Sequence, residues 1–184
     1  MKKGLLIGFV VLMLAGSLSA GDVPYIGIYA SPDGVMDTHS TCSISPVPFD
    51  DLFVMWIWVL PSSRGMNAVE FRLSRPASIT QELDAVSNPN ITIELGSLGA
   101  GISSAFGSCQ NGWTWTHQQL CSSRSTTPRF FSIIVNPSSG LFQVASCEPG
   151  NPLEPATRLT HLYLYQPCVY ATKDASWGAI KSLF

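Results

Sequence analysis

The chain has 184 residues, enough for one domain with a core that needs no metal to hold it. Only 12% of its residues are charged, about half the usual ~25%, and the formal net charge is −2. With Gly, Pro, Ser and Thr abundant and no basic cluster, this composition excludes a helical bundle and a nucleic-acid binder and points to a loop-rich, all-β protein.

The first twenty residues, MKKGLLIGFVVLMLAGSLSA, place Lys2 and Lys3 before an apolar run from Gly4 to Ala15 and a stretch of mostly small residues. That order predicts a secretory signal peptide over residues 1–20, cleaved near Ala20. The apolar run is about a dozen residues against the ~20 that cross a bilayer, so no stable membrane span is expected after cleavage. The first cysteine, Cys42, lies far beyond it, which disfavours a lipoprotein. Loss of Lys2 and Lys3 leaves eight basic against twelve acidic residues, a net charge of −4. The expected location is secreted, either periplasmic or extracellular.

Tyr25–Ala30 (YIGIYA) reads as a first strand, followed by a turn-rich loop through Pro48 that carries Cys42. Asp33, Asp37, Asp50 and Asp51 are dispersed there without the D-x-D-x-D-G pattern, so no metal site and no cofactor is predicted. Leu52–Leu60 (LFVMWIWVL) is apolar on both alternating faces, too short to span a membrane, and stopped by Pro61. It predicts a central strand buried on both sides. Met66–Leu73 alternates, with Glu70 and Arg72 read as a solvated same-face pair worth about 0–1 kcal/mol. Ala77–Val86 is read as one or two helical turns or coil. Asn90–Leu95 and Gly101–Ser108 are two more strands around Gly96, Gly99 and Gly101. No helix follows these glycines to hold an anion, so they are assigned to turns and bulges.

Trp113–Leu120 (WTWTHQQL) alternates, which places Trp113, Trp115, His117 and Gln119 on one side of a strand. Phe130–Val135 and Leu141–Cys147 flank Asn136-Pro137-Ser138-Ser139-Gly140 and predict a β-hairpin whose first strand is apolar on both faces. Arg158–Tyr165 is a further strand. About eight or nine short strands with hardly any helical periodicity predict an antiparallel β-sandwich, immunoglobulin-like or cohesin-like, over residues 22–170, with a closed barrel as the alternative. In the tail, 171–184, Trp177, Ile180 and Phe184 recur at helical spacing and predict a short amphipathic helix.

All five cysteines follow the signal segment, and export favours disulfides over metal ligation. Several connectivities are open. The short-range expectation pairs Cys109 with Cys121 and Cys147 with Cys168, leaving Cys42 as the unpaired thiol. For catalysis the chain offers three histidines, His39, His117 and His161, and no G-x-S-x-G elbow. Glu94, Glu148 and Glu154 form no recognisable carboxylate pair. The stronger candidate is a binding platform of Trp113 and Trp115 with His117 and Gln119 beside them, weighed against the simpler reading of both tryptophans as core.

YIGIYA, the cysteine in the loop after it, FGSC at Phe106–Cys109, NPSSGLFQVASC at Asn136–Cys147 and the ending SWGAIKSLF resemble a group of uncharacterised secreted β-sandwich proteins of environmental bacteria, to which no activity is assigned. The resemblance implies export and is compatible with a β-sandwich; it supplies no catalytic residue. The function expected is a non-catalytic module for extracellular or cell-surface binding or assembly, with a glycan or a protein as partner. The alternatives are a small secreted hydrolase using His117 or His161, and a structural subunit that self-assembles by strand exchange or through the odd thiol.

Overall fold

The computed structural model describes residues 23–31, 39 and 41–168. The expected signal peptide and the tail 171–184 lie outside the described residues. Those that remain form fourteen strands and no helix: β1 (Tyr25–Ser31), β2 (Ser43–Ile44), β3 (Leu52–Leu60), β4 (Met66–Ser74), β5 (Ile79–Gln81), β6 (Val86–Ser87), β7 (Ile91–Ser97), β8 (Gly101–Gln110), β9 (Thr114–Ser123), β10 (Arg129–Ile134), β11 (Gln143–Ala145), β12 (Leu153–Pro155), β13 (Thr157–Thr160) and β14 (Leu162–Leu164). The helical turns expected within Ala77–Val86 are instead the short strands β5 and β6.

Two mixed sheets result. One has the order β13-β1-β3-β9-β5, with β6 alongside β5 on the same edge of β9. The other runs β12-β11-β4-β10-β14-β2, and β8 adds to the second edge of β4 with β7 outside it. The pairs β1–β13 and β2–β14 are parallel; the rest are antiparallel.

The nine apolar residues of β3 explain how the sheets meet. Phe53, Met55, Ile57 and Val59 point into a core shared with Val69, Phe71, Ile102, Phe131 and Ile133 of the other sheet. Phe53 meets Phe131 edge to face at 6.3 Å. The alternate residues Trp56 and Trp58 bury themselves on the opposite face with Tyr29. Each such burial contributes about 1.5–3 kcal/mol, so a strand apolar on both sides is stable only where both sides are covered.

Two sequence expectations are corrected here. The predicted hairpin does not reverse the chain. Ile134 lies opposite Arg72 and Gln143 opposite Glu70, so β10 and β11 follow one another in the same direction along β4, and most of the intervening residues are extruded as a loop. An isolated Asn136–Leu141 bridge closes that loop. Glu70 anchors it, accepting hydrogen bonds from Asn136 Nδ2 (3.0 Å), Ser139 Oγ (2.5 Å) and Gln143 Nε2 (3.0 Å), in place of the expected pairing with Arg72. Phe130 is half exposed, so one face of β10 is only partly covered. The second correction is that Arg158–Tyr165 is two strands: β13 joins β1 in one sheet, and after His161 the chain crosses to pair β14 with β10 in the other.

Candidate functional site

The four residues expected on one face of Trp113–Gln119 are split between two. Ile57 of β3 lies opposite His117, but the next residue, Trp58, lies opposite Trp115, so Thr116 is an extra residue in β9. Side chains alternate with period two, and one extra residue reverses the facing of everything beyond it. Trp115 therefore shares the outer face with Trp58, while His117 and Gln119 turn inward with Ile57 and Met55. Asn88, just past β6, holds this bulge: its Nδ2 donates to Trp115 O at 2.7 Å and its backbone N–H to Thr116 O at 2.8 Å.

On the outer face Trp113 and Trp115 are half-buried. Trp115 packs edge to face on Trp56 at 5.3 Å, and Trp113 stacks on His39 at 4.7 Å. The Cys42–Cys168 disulfide packs against the same cluster. This is an aromatic nest built around buried tryptophans, not a flat exposed ladder.

On the inner side His117 and Gln119 reach the open edge between the sheets, where a cleft of about 540 Å³ forms. One wall is the end of β4 with the β7–β8 turn; the other is β9 with the segment carrying β5 and β6. The turn is drawn onto β4 by Leu73 N–H donating to Leu98 O at 2.7 Å and Arg72 Nε to Gly99 O at 2.9 Å. Its flanks require glycine. Gly96 and Gly101 have φ of 91° and 119°, and a Cβ on Gly96 would sit 2.1 Å from Gly101 O.

His117, 1% exposed, meets Glu94 of β7 at 2.9 Å through Nε2, and the same carboxylate oxygen accepts from Ser87 Oγ at 2.7 Å. Burial pushes His117 below its usual value, and Glu94 only partly offsets this. Burial acts to raise the Glu94 carboxyl, but the hydrogen bonds from Ser87 and His117, with the imidazole's charge, outweigh it and hold the group below its usual range. Glu94 is thus ionised and His117 neutral near pH 7. The proton sits on Nε2, facing the carboxylate, and Nδ1 is a bare lone pair, buried with no partner.

What the described residues do not place on this pair is a nucleophile: the Nδ1 lone pair is buried without a partner, and Ser87 bonds to the carboxylate and not to the imidazole. His161, between β13 and β14, has only Phe131 O at 3.3 Å from its Nδ1 and no acid, serine or cysteine partner among the described residues. No group of three or more metal-ligating side chains occurs among the described residues.

The cysteines pair differently from the short-range expectation. Cys42 joins Cys168 and Cys109 joins Cys147, each with Cα atoms 5.7 Å apart, and the unpaired thiol is Cys121 instead of Cys42. Sheet pairing decides this: parallel β2 and β14 bring Cys42 toward Cys168, while Cys121 is locked in β9 opposite Phe53. Burial pushes the Cys121 thiol up to about 12, away from the thiolate form that reacts. The disulfides are compatible with an oxidising extracellular or periplasmic environment. No helix of the described residues is long and apolar enough to cross a membrane.

Fold and site define a disulfide-bonded, all-β protein of two mixed sheets with a polar cleft at their open edge. Among known proteins, the chain matches no family model and no curated protein.

Sequence reasoning singled out His117 and Gln119, weighed Glu94 only among carboxylates with no recognisable pair and Arg72 only as a solvated partner of Glu70, and did not single out Ser87, Asn88 or Arg75. Glu94 sits in a strand exposed over almost its whole length, where a carboxylate is unremarked. Asn88 precedes Pro89, a pair whose local chemistry marks a turn and gives no sign of a clamp on a distant strand.

Proposed function

We propose that this chain is an exported, non-catalytic β-sandwich module, immunoglobulin-like or cohesin-like, that binds a small polar ligand outside the cell or at its surface, with the cleft as its binding site. The observation that carries the reading is the convergence of side chains from both sheets on one 540 Å³ space: His117 and Gln119 from β9, Arg72 and Glu94 from β4 and β7. Pre-formed concave sites of about 300–1,000 Å³ with a few fixed polar groups are where small ligands bind. The bulge at Thr116 and its Asn88 clamp supply the fixing.

The aromatic nest supports the platform reading less, because its rings are spent on one another. The test is an NMR titration with saccharides, amino acids and short peptides, following the side-chain amide of Gln119 and the indole of Trp113. Ligand-dependent shifts at Gln119 that vanish in Arg72→Ala are expected. Shifts confined to Trp113 and Trp115 would return the site to the outer face and overturn the cleft.

A further inference from the structure

The outer face of the sheet β13-β1-β3-β9-β5 is apolar and only partly covered. Register places Trp56 level with Tyr29 on one side and Gln118 on the other, with Val86 beyond Gln118. Two residues along β3, Val54 is level with Leu120, and Leu52 follows it on the same face. No charged side chain of β1, β3 or β9 lies on this face. His39 and the Cys42–Cys168 disulfide pack at its Trp56–Trp58 end. Away from that end the cover gives out: Val54 and Leu120 are half-buried, and Leu52 and Val86 are 54% and 51% exposed.

Two observations point to an occupant. An apolar surface continuous with buried tryptophans is unfavourable in water and marks a contact site. The indole N–H groups of Trp56 and Trp58 are also buried there without an acceptor among the described residues, so two donors remain for oxygens brought from elsewhere. The disulfide decides which segment meets the face first. Cys168 packs against Trp56 and Trp58, and sixteen residues, Val169–Phe184, follow it in the sequence. A segment tethered so close meets the face at an effective concentration of about millimolar, well ahead of a second copy in dilute solution. Trp177, Ile180 and Phe184 supply an apolar stripe at helical spacing, and Lys173 and Lys181 outweigh Asp174. The carboxylate at the rim of the face is Glu82, which accepts from Ser122 Oγ and has no cation within ion-pair distance among the described residues.

We propose that this outer face is the docking site of the chain's own tail: Asp174–Phe184 lies across it as a short helix, with its apolar stripe on Leu52, Val54, Leu120 and Val86. The dimensions agree. Eleven helical residues are about 16 Å long, and the four strands β1, β3, β9 and β6 stand about 14 Å across. Docking supplies the burial that so short a helix needs to form. It also closes the tryptophan face to other molecules. The cleft lies on the inner side of the same sheet, so the tail and the cleft can each fail as a site without the other.

The test is a methyl NOE experiment on the full mature protein with its disulfides intact, labelled at the Ile, Leu and Val methyls. Cross-peaks are expected from the Ile180 δ1 methyl to Val54 and Leu120. Ile180→Lys in the tail and Leu52→Lys on the exposed rim of the face should each displace the tail. The tail amides then move to random-coil positions and the Val54 and Leu120 methyls shift. The Gln119 side-chain amide should keep its position in both variants, which shows that the sheets stay folded. No cross-peak from Ile180 to the face, or random-coil tail amides in the unaltered protein, overturns the proposal. Cross-peaks that arise only between differently labelled molecules in a mixed sample assign the face to a second copy and overturn it too.

Discussion

At the scale of single residues, the pair His117 and Glu94 makes stability depend on pH in one direction. Both groups have folded pKa values below their unfolded ones, His117 through burial and Glu94 through its hydrogen bonds from Ser87 and His117. A depressed group stabilises the fold above its unfolded pKa and loses that contribution as pH falls toward the folded value. Acidification should therefore cost stability first below about pH 6.5, as the unfolded chain takes up the histidine proton, and again below about pH 4.3 from Glu94. His161, also lowered, by burial and by the charge of Arg158, adds to the first window. Thermal melts from pH 7.5 to 5 should show a falling Tm, and His117→Gln should flatten part of that fall relative to His161→Gln. An unchanged slope in His117→Gln would mean that its burial does not set the proton affinity.

At the scale of elements, what was legible was what local pattern decides. The strand Leu52–Leu60 was read to the residue because nine apolar side chains and a terminating proline leave no alternative, and its burial on both faces followed. WTWTHQQL, by contrast, alternates without a flaw, yet contains a bulge. The cause lies elsewhere in the chain, in Asn88, which occupies the Trp115 and Thr116 carbonyls. Asn136 to Gly140 were read as the turn of a hairpin, but turn residues cannot say whether the chain reverses; the side-chain anchors on Glu70 and the shared partner β4 decide that it does not. Replacing Asn88 by Ala removes the donor to Trp115 O and should cost about 1–3 kcal/mol, measured by urea denaturation. It should also broaden the His117 resonance, since the bulge that aims the ring is no longer clamped. Full stability in Asn88→Ala would show that the bulge is set by β3 packing alone.

For the whole molecule, the pairing of cysteines was illegible because it is a property of the two sheets and not of spacing. Cys109 and Cys147 approach across Gly65, whose φ of 71° and missing Cβ leave room for both sulfurs; a Cβ there would lie 2.6 Å from Cys109 Sγ. The two bonds close loops of very different size, with sequence separations of 126 and 38. Removing a native disulfide typically costs ~2–5 kcal/mol, and in the chain-entropy account the larger loop is worth about 1 kcal/mol more. The double serine variant of Cys42 and Cys168 should therefore unfold at lower urea than that of Cys109 and Cys147. The reverse order would place the larger share in native packing around Gly65.

The Cys42–Cys168 bond has a consequence for survival under proteolysis. It closes nearly all of the described chain into one covalent ring. A protease that severs any single peptide bond between those two cysteines opens the ring but releases nothing, because the two pieces stay joined through sulfur. The severed molecule keeps both sheets at each other's side at an effective concentration set by the tether, so strands can re-pair where free fragments would diffuse apart. Damage by a first cut is thereby kept from becoming loss.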